Sequence, residues 1–216
     1  MRNVARSGVM TNFVLHIDAD LVPTPSLRNK FREFITKNNL YSRSAARSST
    51  ALYVLPVFEL RQFQTPVRSK QDLITAINAR NARTFLQETC LQCHQPTNYD
   101  KWQQESKNAT GLSYKVDYVK EWAPFFIAPR FSPMFDERFT SFGHDNLAHV
   151  CELQANGYHF YVLNDEFLIC NGYRSKNKLT EFERKRRDSR DSFYKGFLQK
   201  LRNNGYVGSM YNNCYE

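Results

Sequence analysis

The sequence predicts an α/β fold, in which strands and helices alternate around one hydrophobic core. An apolar run at residues 14–17 stops at two aspartates and gives way to a helical pattern, which is the strand–turn–helix order of α/β proteins. Further short apolar runs, HFYVL and FLIC, lie toward the C-terminus. The chain has 216 residues, 41% of them hydrophobic, so we expect a single domain over residues 1–216.

The first half of the chain contains two strand candidates and two helix candidates. After the aspartates, Pro25 and Ser26 start a helix whose apolar residues recur at helical spacing: Leu27, Phe31, Phe34 and Ile35. The run ALYVLPVFEL at residues 51–60 predicts a second strand, and its internal proline places it at a sheet edge or at a bend. Residues 69–88 then show a helical pattern, with one apolar side formed by Leu73, Ile74, Ile77 and Ala82.

The second half alternates in the same way. Residues 118–139 are rich in aromatics and prolines, which predicts loop and short strand lying over a site. Asp145 or Asn146 is predicted to cap a helix that Gly157 ends, and the strands HFYVL and FLIC follow. Residues 180–201 predict a charged helix whose inward side is formed by Phe182, Phe193, Tyr194, Phe197 and Leu201.

The formal net charge of +9 is compatible with a nucleic acid, an anionic membrane surface or a substrate that carries phosphate or carboxylate groups. The densest basic run, RKRR at residues 184–187, lies among glutamates and aspartates, which is typical of a solvated helix face with ion pairs. Because the basic residues are dispersed and no RNA- or DNA-binding motif is present, a nucleic-acid-binding domain is disfavoured.

Signals of cellular location are few. No apolar run is long enough to span a bilayer, and the start MRNVARSGVM lacks the apolar core of a signal peptide, so these residues predict no route into the secretory pathway. One glycosylation sequon, at Asn108, is weak support for a luminal location. Five cysteines, an odd number, leave at least one thiol free if the others pair.

The segment CLQCH at residues 90–94 matches the spacing of c-type haem attachment sites, but cysteines at this spacing also form disulfides or thiol pairs. A single such motif within a mixed α/β domain favours the disulfide or thiol pair, which makes His94 a loop histidine. The other histidines share no metal-ligand spacing, and His16 on the apolar strand is predicted to be a core residue.

Asp18 and Asp20 point most directly to chemistry. In a strand, residues two apart project from the same face, so both carboxylates would converge on one point. Open α/β sheets place ligands at the C-terminal ends of strands, and converging carboxylates suit Mg²⁺ or Mn²⁺, with waters and phosphate oxygens as the remaining ligands. The alternative is a polar strand end that faces water.

Several longer motifs occur in order along nearly the whole chain. They are RNVAR at residues 2–6, HIDADLVP, YVLPVFELR, PTNYDKW, WAPFFIAPRFSPMFDERF and FGHDNLAHVCELQANGYHFYVLNDEFLICNGY. Together they resemble the LARGE-type and β-1,4-glucuronyltransferase family. The resemblance implies a GT-A-like fold, in which a mixed sheet is flanked by helices. It also implies an inverting, Mn²⁺-dependent transfer of a sugar, commonly glucuronate from UDP-glucuronate, to a glycan acceptor. By the same resemblance we expect a location in the Golgi lumen, and membrane attachment only through an anchor that we expect to be absent from this chain.

By position in these motifs, the resemblance implies the residues of the donor site. Asp18 and Asp20 would bind Mn²⁺, which neutralises the diphosphate leaving group. Asn3 and Arg6, just upstream, would lie near the nucleotide or its phosphates.

The resemblance also implies an acceptor side. An inverting transferase needs a carboxylate to take the proton of the acceptor hydroxyl, and Asp136 and Glu137 in FDERF are the candidates for this catalytic base. An alternative for Glu137 is a structural ion pair with Arg138. Trp122 is assigned to the acceptor site, because a flat aromatic face matches a sugar ring, whereas three neighbours are assigned to the core: Phe125, Phe126 and Phe139.

The chain departs from the family pattern in three places. RNVAR lies at the N-terminus, whereas in the family a nucleotide-binding region precedes it, so we expect a GT-A fold truncated at its N-terminal side. Cys170 occupies a slot where the family has a histidine at or near the metal, and it is either a poorer ligand for Mn²⁺ or a buried inert thiol. Ala123 replaces a glutamate of the family. A catalytically inactive relative that binds a glycan or a partner transferase is therefore the alternative function.

Overall fold

The computed structural model describes residues 2–61, 66–105, 111–139, 144–175 and 181–203. Its helices are α1 (Arg2–Ser7), α2 (Leu27–Lys37), α3 (Arg43–Ser48), α4 (Lys70–Asn78), α5 (Tyr99–Gln104), α6 (Asp145–Ala155) and α7 (Glu181–Asn203). Its strands are β1 (Phe13–Leu15), β2 (Leu21–Pro23), β3 (Ala51–Leu55), β4 (Val57–Leu60), β5 (Ala82–Thr84), β6 (Leu112–Val116), β7 (Phe125–Pro129), β8 (His159–Leu163) and β9 (Leu168–Asn171).

The strands form two mixed sheets. The first has the order β1-β7-β3-β8-β6, and the second has the order β2-β9-β4-β5. In the first sheet β3 pairs in parallel with β8, and in the second β4 pairs in parallel with β9, whereas the other pairs are antiparallel. Mixed sheets flanked by helices confirm the expected α/β, GT-A-like fold class.

Pro56 divides the predicted second strand into β3 and β4, which enter different sheets. Both strands lie inside their sheets rather than at an edge, so of the two alternatives for this proline the bend is confirmed. No loop separates the two strands, since only Pro56 lies between them. The five-stranded and four-stranded sheets are therefore joined directly at this proline.

Helix α4 is shorter than predicted. Ser69 caps it, because the Ser69 hydroxyl accepts from the backbone N–H of Asp72 while the Asp72 carboxylate accepts from that of Ser69. The helix ends at Asn78, since Arg80 takes a left-handed conformation with φ 57°. Ala82, predicted on the helix, instead pairs with Leu60 in the sheet.

Helices α2, α6 and α7 lie close to their predicted positions. The four apolar residues predicted for the inner side of α2 are all buried. Helix α6 begins at Asp145 with His144 in the N-cap position, and Gly157 follows its end with φ 77°. In α7, Phe197 and Leu201 are buried, whereas Phe193 is exposed, so its predicted inward position is wrong. The side chain of Phe182 lies outside the described part.

The core consists of two clusters of buried side chains. One cluster contains Phe126, and the other contains Phe125, which confirms their assignment to the core. Phe139 is partly buried and packs against the first cluster. Cys90 and Cys93 form a disulfide, whereas Cys170 is a buried free thiol. Within the described residues, no helix has the length and apolar character needed to cross a membrane.

Candidate active site

The two aspartates lie in the turn between β1 and β2. Strand β1 ends at Leu15, and the backbone N–H of Leu21 donates to the carbonyl oxygen of Asp18 (3.1 Å), which closes the turn. The prediction that Asp18 and Asp20 share the face of a strand is therefore wrong, because the strand ends before them. Each carboxylate is instead held by an arginine from a distant part of the chain.

Arg2 of α1 is the partner of Asp18. The Nη2 atom of Arg2 lies 3.2 Å from Oδ1 of Asp18, and the same guanidinium forms an ion pair with Asp145, the first residue of α6. The guanidinium carbon also lies 4.9 Å from the centre of the Phe135 ring, a cation–π contact. One arginine thus joins α1, the aspartate turn and the start of α6.

Arg174, just after β9, forms an ion pair with Asp20. The Cys170 thiol lies beside this pair, with its sulfur 3.8 Å from Oδ2 of Asp20. Burial raises the pKa of the Cys170 thiol, and the neighbouring Arg174 opposes this in part. A protonated thiol donates to the aspartate and is a poor ligand for Mn²⁺, which agrees with the buried inert alternative. A metal-binding role for Cys170 stays a prediction.

Each of the two aspartates keeps one carboxylate oxygen that is not used by its arginine partner. Arg2 binds Oδ1 of Asp18 and Arg174 binds Oδ2 of Asp20, and the other oxygen of each carboxylate has no hydrogen bond within the described residues. No group of three or more His, Cys, Asp or Glu side chains in this part of the chain is placed to hold a metal ion. Two carboxylates suit a Mg²⁺ or Mn²⁺ ion that takes its other ligands from water and phosphate.

A buried carboxylate, Glu59 of β4, supports the backbone at Arg174. Its Oε2 accepts from the backbone N–H of Arg174 (3.2 Å) and from Nε of Arg83 (2.7 Å), while its Oε1 accepts from the N–H of Leu86 (3.1 Å). Glu59 also pairs across the sheet with Cys170 on one side and Arg83 on the other. Since Glu59 has no exposed surface, its charge is compensated entirely by these partners.

Asn3 holds the loop that carries the two candidate bases. Its Nδ2 donates to the carbonyl oxygen of Phe135 (2.7 Å) and to Oε1 of Glu137 (3.1 Å), and its Oδ1 accepts from the N–H of Phe135 (3.0 Å). Asn3 thereby links Glu137 to α1, the helix whose Arg2 binds Asp18. Contact of Asn3 with a nucleotide stays a prediction.

Arg6 holds the preceding part of the same loop. Its guanidinium donates to the carbonyl oxygens of Arg130 (3.1 Å from Nε) and Pro133 (2.8 Å from Nη1) and to the hydroxyl of Ser132 (3.0 Å from Nη2). Only 3% of Arg6 is exposed, and burial lowers the pKa of its guanidinium. The geometry gives Arg6 a supporting role, and direct contact with a nucleotide stays a prediction.

The two candidate bases have different environments. Nε of Arg138 lies 2.9 and 3.0 Å from the two oxygens of Asp136, and this contact holds the pKa of the Asp136 carboxyl below its usual range. A carboxylate stabilised in this way is a weak base. Glu137 is exposed, and its Oε2 has no hydrogen bond within the described part of the chain. The ion pair with Arg138 is formed by Asp136 and not by Glu137. Glu137 is therefore the less constrained of the two carboxylates, and a role for either as the base stays a prediction.

Trp122 lies in the core, which corrects its assignment to the acceptor site. Its side chain has no exposed surface, its indole N–H donates to Oγ1 of Thr97 (3.1 Å), and its ring centre lies 5.0 Å from that of Phe160. A large ring whose single polar group is satisfied internally is stable when buried. The motif around Trp122 therefore reflects packing in this structure.

An open cavity of about 940 Å³ lies near the Asp20 edge of the site. Amide side chains and one partly exposed aromatic ring contribute to its wall: Gln87, Gln95, Asn98, Gln103 and Tyr173. The guanidinium carbon of Arg83 lies 4.2 Å from the Tyr173 ring centre, and its Nη2 donates to the carbonyl oxygen of Arg174 (2.8 Å). The cavity wall is thus continuous with the arginine that binds Asp20.

Sequence reasoning missed the residues that organise this site, namely Arg2, Arg174, Asp145 and Glu59. They contact Asp18, Asp20 or each other only through the fold, because up to 154 residues separate the partners. The sole signal was that all four lie in or beside motifs that resemble the family. No spacing rule identifies them.

Comparison with known proteins shows which family the chain resembles over most of its length. Residues 1–205 match a family described as "Glycosyl-transferase for dystroglycan". The chain is 30% identical over 207 residues to beta-1,4-glucuronyltransferase 1 of Danio rerio and 32% identical over 203 residues to the human protein of that name, each match covering 94% of this chain. It is 34% identical over 170 residues to xylosyl- and glucuronyltransferase LARGE2 of Mus musculus, which covers 78% of this chain and 23% of that relative.

The chain spans about half the length of the beta-1,4-glucuronyltransferases that it matches, with 46% of the Danio rerio protein and 47% of the human protein covered. The family match, in contrast, extends over nearly the whole of this chain. The chain therefore belongs to the glycosyltransferase family described as glycosyl-transferase for dystroglycan.

Proposed function

We propose that this protein is a metal-dependent inverting glycosyltransferase that moves glucuronate from a UDP-sugar to a glycan acceptor. One observation carries the proposal: Asp18 and Asp20, each fixed by an arginine, keep a carboxylate oxygen that has no hydrogen bond within the described residues. Membership of a glycosyltransferase family supports it, as do the names of the glucuronyltransferases to which the chain is similar.

On the donor side, the free oxygens of Asp18 and Asp20 would hold Mn²⁺. The bound cation supplies positive charge that stabilises the diphosphate leaving group. Glu59 and Arg83 keep the backbone at Arg174 in place, and this fixes the Asp20 side of the site. Such prearranged charge needs no reorganisation when the sugar bond breaks.

On the acceptor side, Glu137 is the general base. The acceptor hydroxyl oxygen forms a bond to the anomeric carbon of the donor sugar, while the bond from that carbon to the phosphate oxygen breaks and its electron pair leaves with UDP. Glu137 receives the hydroxyl proton, and attack opposite the leaving group inverts the configuration. Asn3 orients Glu137 through the hydrogen bond to Oε1.

The cavity beside Arg83 is the proposed place for the acceptor glycan. Amide side chains both donate and accept hydrogen bonds, which matches the hydroxyl groups of a sugar, and the Tyr173 ring offers a flat face to a pyranose. In this proposal the acceptor binds in the cavity and does not contact Trp122, which is buried.

The test is transfer of glucuronate from UDP-glucuronate to a set of glycan acceptors with and without Mn²⁺. We expect Asp18→Asn or Asp20→Asn to abolish transfer while circular dichroism and thermal unfolding stay close to those of the wild type. Asp117→Asn, which changes an exposed aspartate of the same charge, is the matched control and should be fully active. Retained activity in the first two variants would refute the proposed metal site.

The alternative function, a catalytically inactive relative that binds a glycan or a partner transferase, has its own support. Both aspartates already have arginine partners, and the slot of the family histidine holds Cys170, whose thiol pKa is raised by burial. Mn²⁺-dependent binding of UDP separates the two functions, because the enzyme requires it and the inactive relative does not. Glycan binding without nucleotide binding would establish the alternative.

The Golgi lumen is the proposed location. The disulfide between Cys90 and Cys93 supports it, because disulfides persist in oxidising compartments and are rare in the cytosol. Labelling of free thiols in protein isolated under non-reducing conditions tests this, and a reduced Cys90–Cys93 pair in protein from its native source would contradict it.

A further inference from the structure

The two arginines at the aspartate turn have partly exposed side chains. The Arg2 and Arg174 side chains are each 33% exposed, so the guanidinium groups can rotate into solvent without opening the core. The backbone of Arg174 is fixed by Glu59, and its guanidinium carbon lies 4.9 Å from the centre of the Phe85 ring. With the backbone fixed and the guanidinium partly exposed, a change of side-chain rotamer is enough to give Arg174 a different partner.

Charge balance gives a reason for the partners to change. Arg2 and Arg174 face three carboxylates, those of Asp18, Asp20 and Asp145, so the group carries one net negative charge. A divalent cation at Asp18 and Asp20 competes with both guanidinium groups for the same carboxylates. A diphosphate that arrives with the cation offers oxygen atoms that arginine binds in a bidentate manner.

The geometry points to Arg2 and Arg174 as diphosphate-binding residues that exchange partners, bound to Asp18 and Asp20 without nucleotide and to the phosphate oxygens of a nucleoside diphosphate when it binds with the cation. This inference rests on the proposed function and adds two donor-binding residues to it. It follows that the arginines weaken binding of the cation alone and strengthen binding of the nucleotide.

The inference is testable by calorimetric titration, because removal of either arginine should change the affinity for Mn²⁺ and the affinity for UDP in opposite directions. We expect Arg174→Gln and Arg2→Gln each to bind Mn²⁺ several-fold more tightly than the wild type when no nucleotide is present, because a competing cation has been removed. With saturating Mn²⁺, we expect the same variants to bind UDP roughly tenfold or more weakly, because a charge-assisted hydrogen bond to phosphate is lost. Arg174→Lys keeps the charge without the bidentate geometry and should lie between Arg174→Gln and the wild type in both titrations.

The control is Arg47→Gln, which removes a guanidinium that lies 5.4 Å from the Phe131 ring centre and has no contact with the aspartates. It should match the wild type in both titrations. Variants that bind Mn²⁺ and UDP as the wild type does, or that lose affinity for both, would overturn the partner exchange while leaving the proposed function in place. A wild type that binds no UDP, with or without Mn²⁺, would overturn the inference together with the proposed function.

Discussion

Arg6→Met is the most informative perturbation of the loop that carries Glu137. Methionine keeps most of the apolar stem of Arg6 but removes the guanidinium that donates to Arg130, Ser132 and Pro133. Hydrogen bonds from a charged donor contribute roughly 1.5 kcal/mol or more each, which gives about 4–5 kcal/mol for three. Relief of the desolvation that lowers the pKa of Arg6 offsets part of this, so we expect a net loss of about 3 kcal/mol.

Urea unfolding followed by tryptophan fluorescence measures this loss. With a slope of about 2 kcal/mol per M, a 3 kcal/mol loss lowers the midpoint by about 1.5 M. Arg6→Lys restores a charge but fewer donors and should recover part of the loss. Arg43→Met is the control, because its guanidinium makes a cation–π contact with Phe131 at 5.5 Å on the surface. A loss below about 1 kcal/mol for Arg6→Met would show that water satisfies the loop carbonyls and that Arg6 does not hold the loop.

Three further predictions concern single residues. Glu137→Gln should lower kcat for glucuronate transfer by roughly 10²–10⁴-fold with UDP affinity unchanged, whereas Asp136→Asn should lower kcat less than about tenfold. A larger loss of kcat for Asp136→Asn than for Glu137→Gln would assign the base to Asp136. Cys170→His should raise Mn²⁺ affinity in a calorimetric titration, because imidazole binds Mn²⁺ better than a protonated thiol, and no gain would place residue 170 outside the ligand shell. Burial lowers the pKa of His149 to about 4, compared with about 6.5 in the unfolded chain. The neutral, buried histidine therefore stabilises the fold fully above about pH 6.5, and this stabilisation is lost as the pH falls toward about 4. Urea unfolding at pH 7.5 and pH 4.5 should therefore show a smaller difference for His149→Gln than for the wild type, and an equal difference would mean that His149 is not buried in its neutral form.

The fold could be predicted where local patterns and tertiary packing agree. The inner side of α2 follows helical spacing, and Pro56 marks a bend because proline cannot donate to a sheet. The end of α4 could not be predicted, since a left-handed Arg80 reverses the chain without a glycine or proline to signal it. Ala82 fits a helical pattern by spacing but pairs in the sheet instead, because the chain has already turned.

Within the candidate site, residue patterns alone pointed only to the two aspartates, whereas Asn3, Arg6 and Glu137 were named through the family resemblance. Asp18 and Asp20 are conspicuous because carboxylates interrupt an apolar run, although the turn that carries them differs from the expected strand. Their arginine partners come from residues 2 and 174, and no local pattern relates positions so far apart. Trp122 shows a different limit. An aromatic residue in a segment rich in aromatics and prolines suits a sugar-binding face or a core equally well until its burial is known.

The buried carboxylate of Glu59 limits how this protein could be re-engineered. It is shared by Arg83 and Leu86 on the cavity side and by Arg174 on the donor side. A chimera that exchanges residues 82–104 with those of a relative must keep a cation equivalent to Arg83, or the buried carboxylate loses its ion pair and keeps only backbone N–H partners. Changes of sugar preference should therefore be sought among outward-facing residues such as Gln87 and Gln95, which can vary without disturbing that carboxylate.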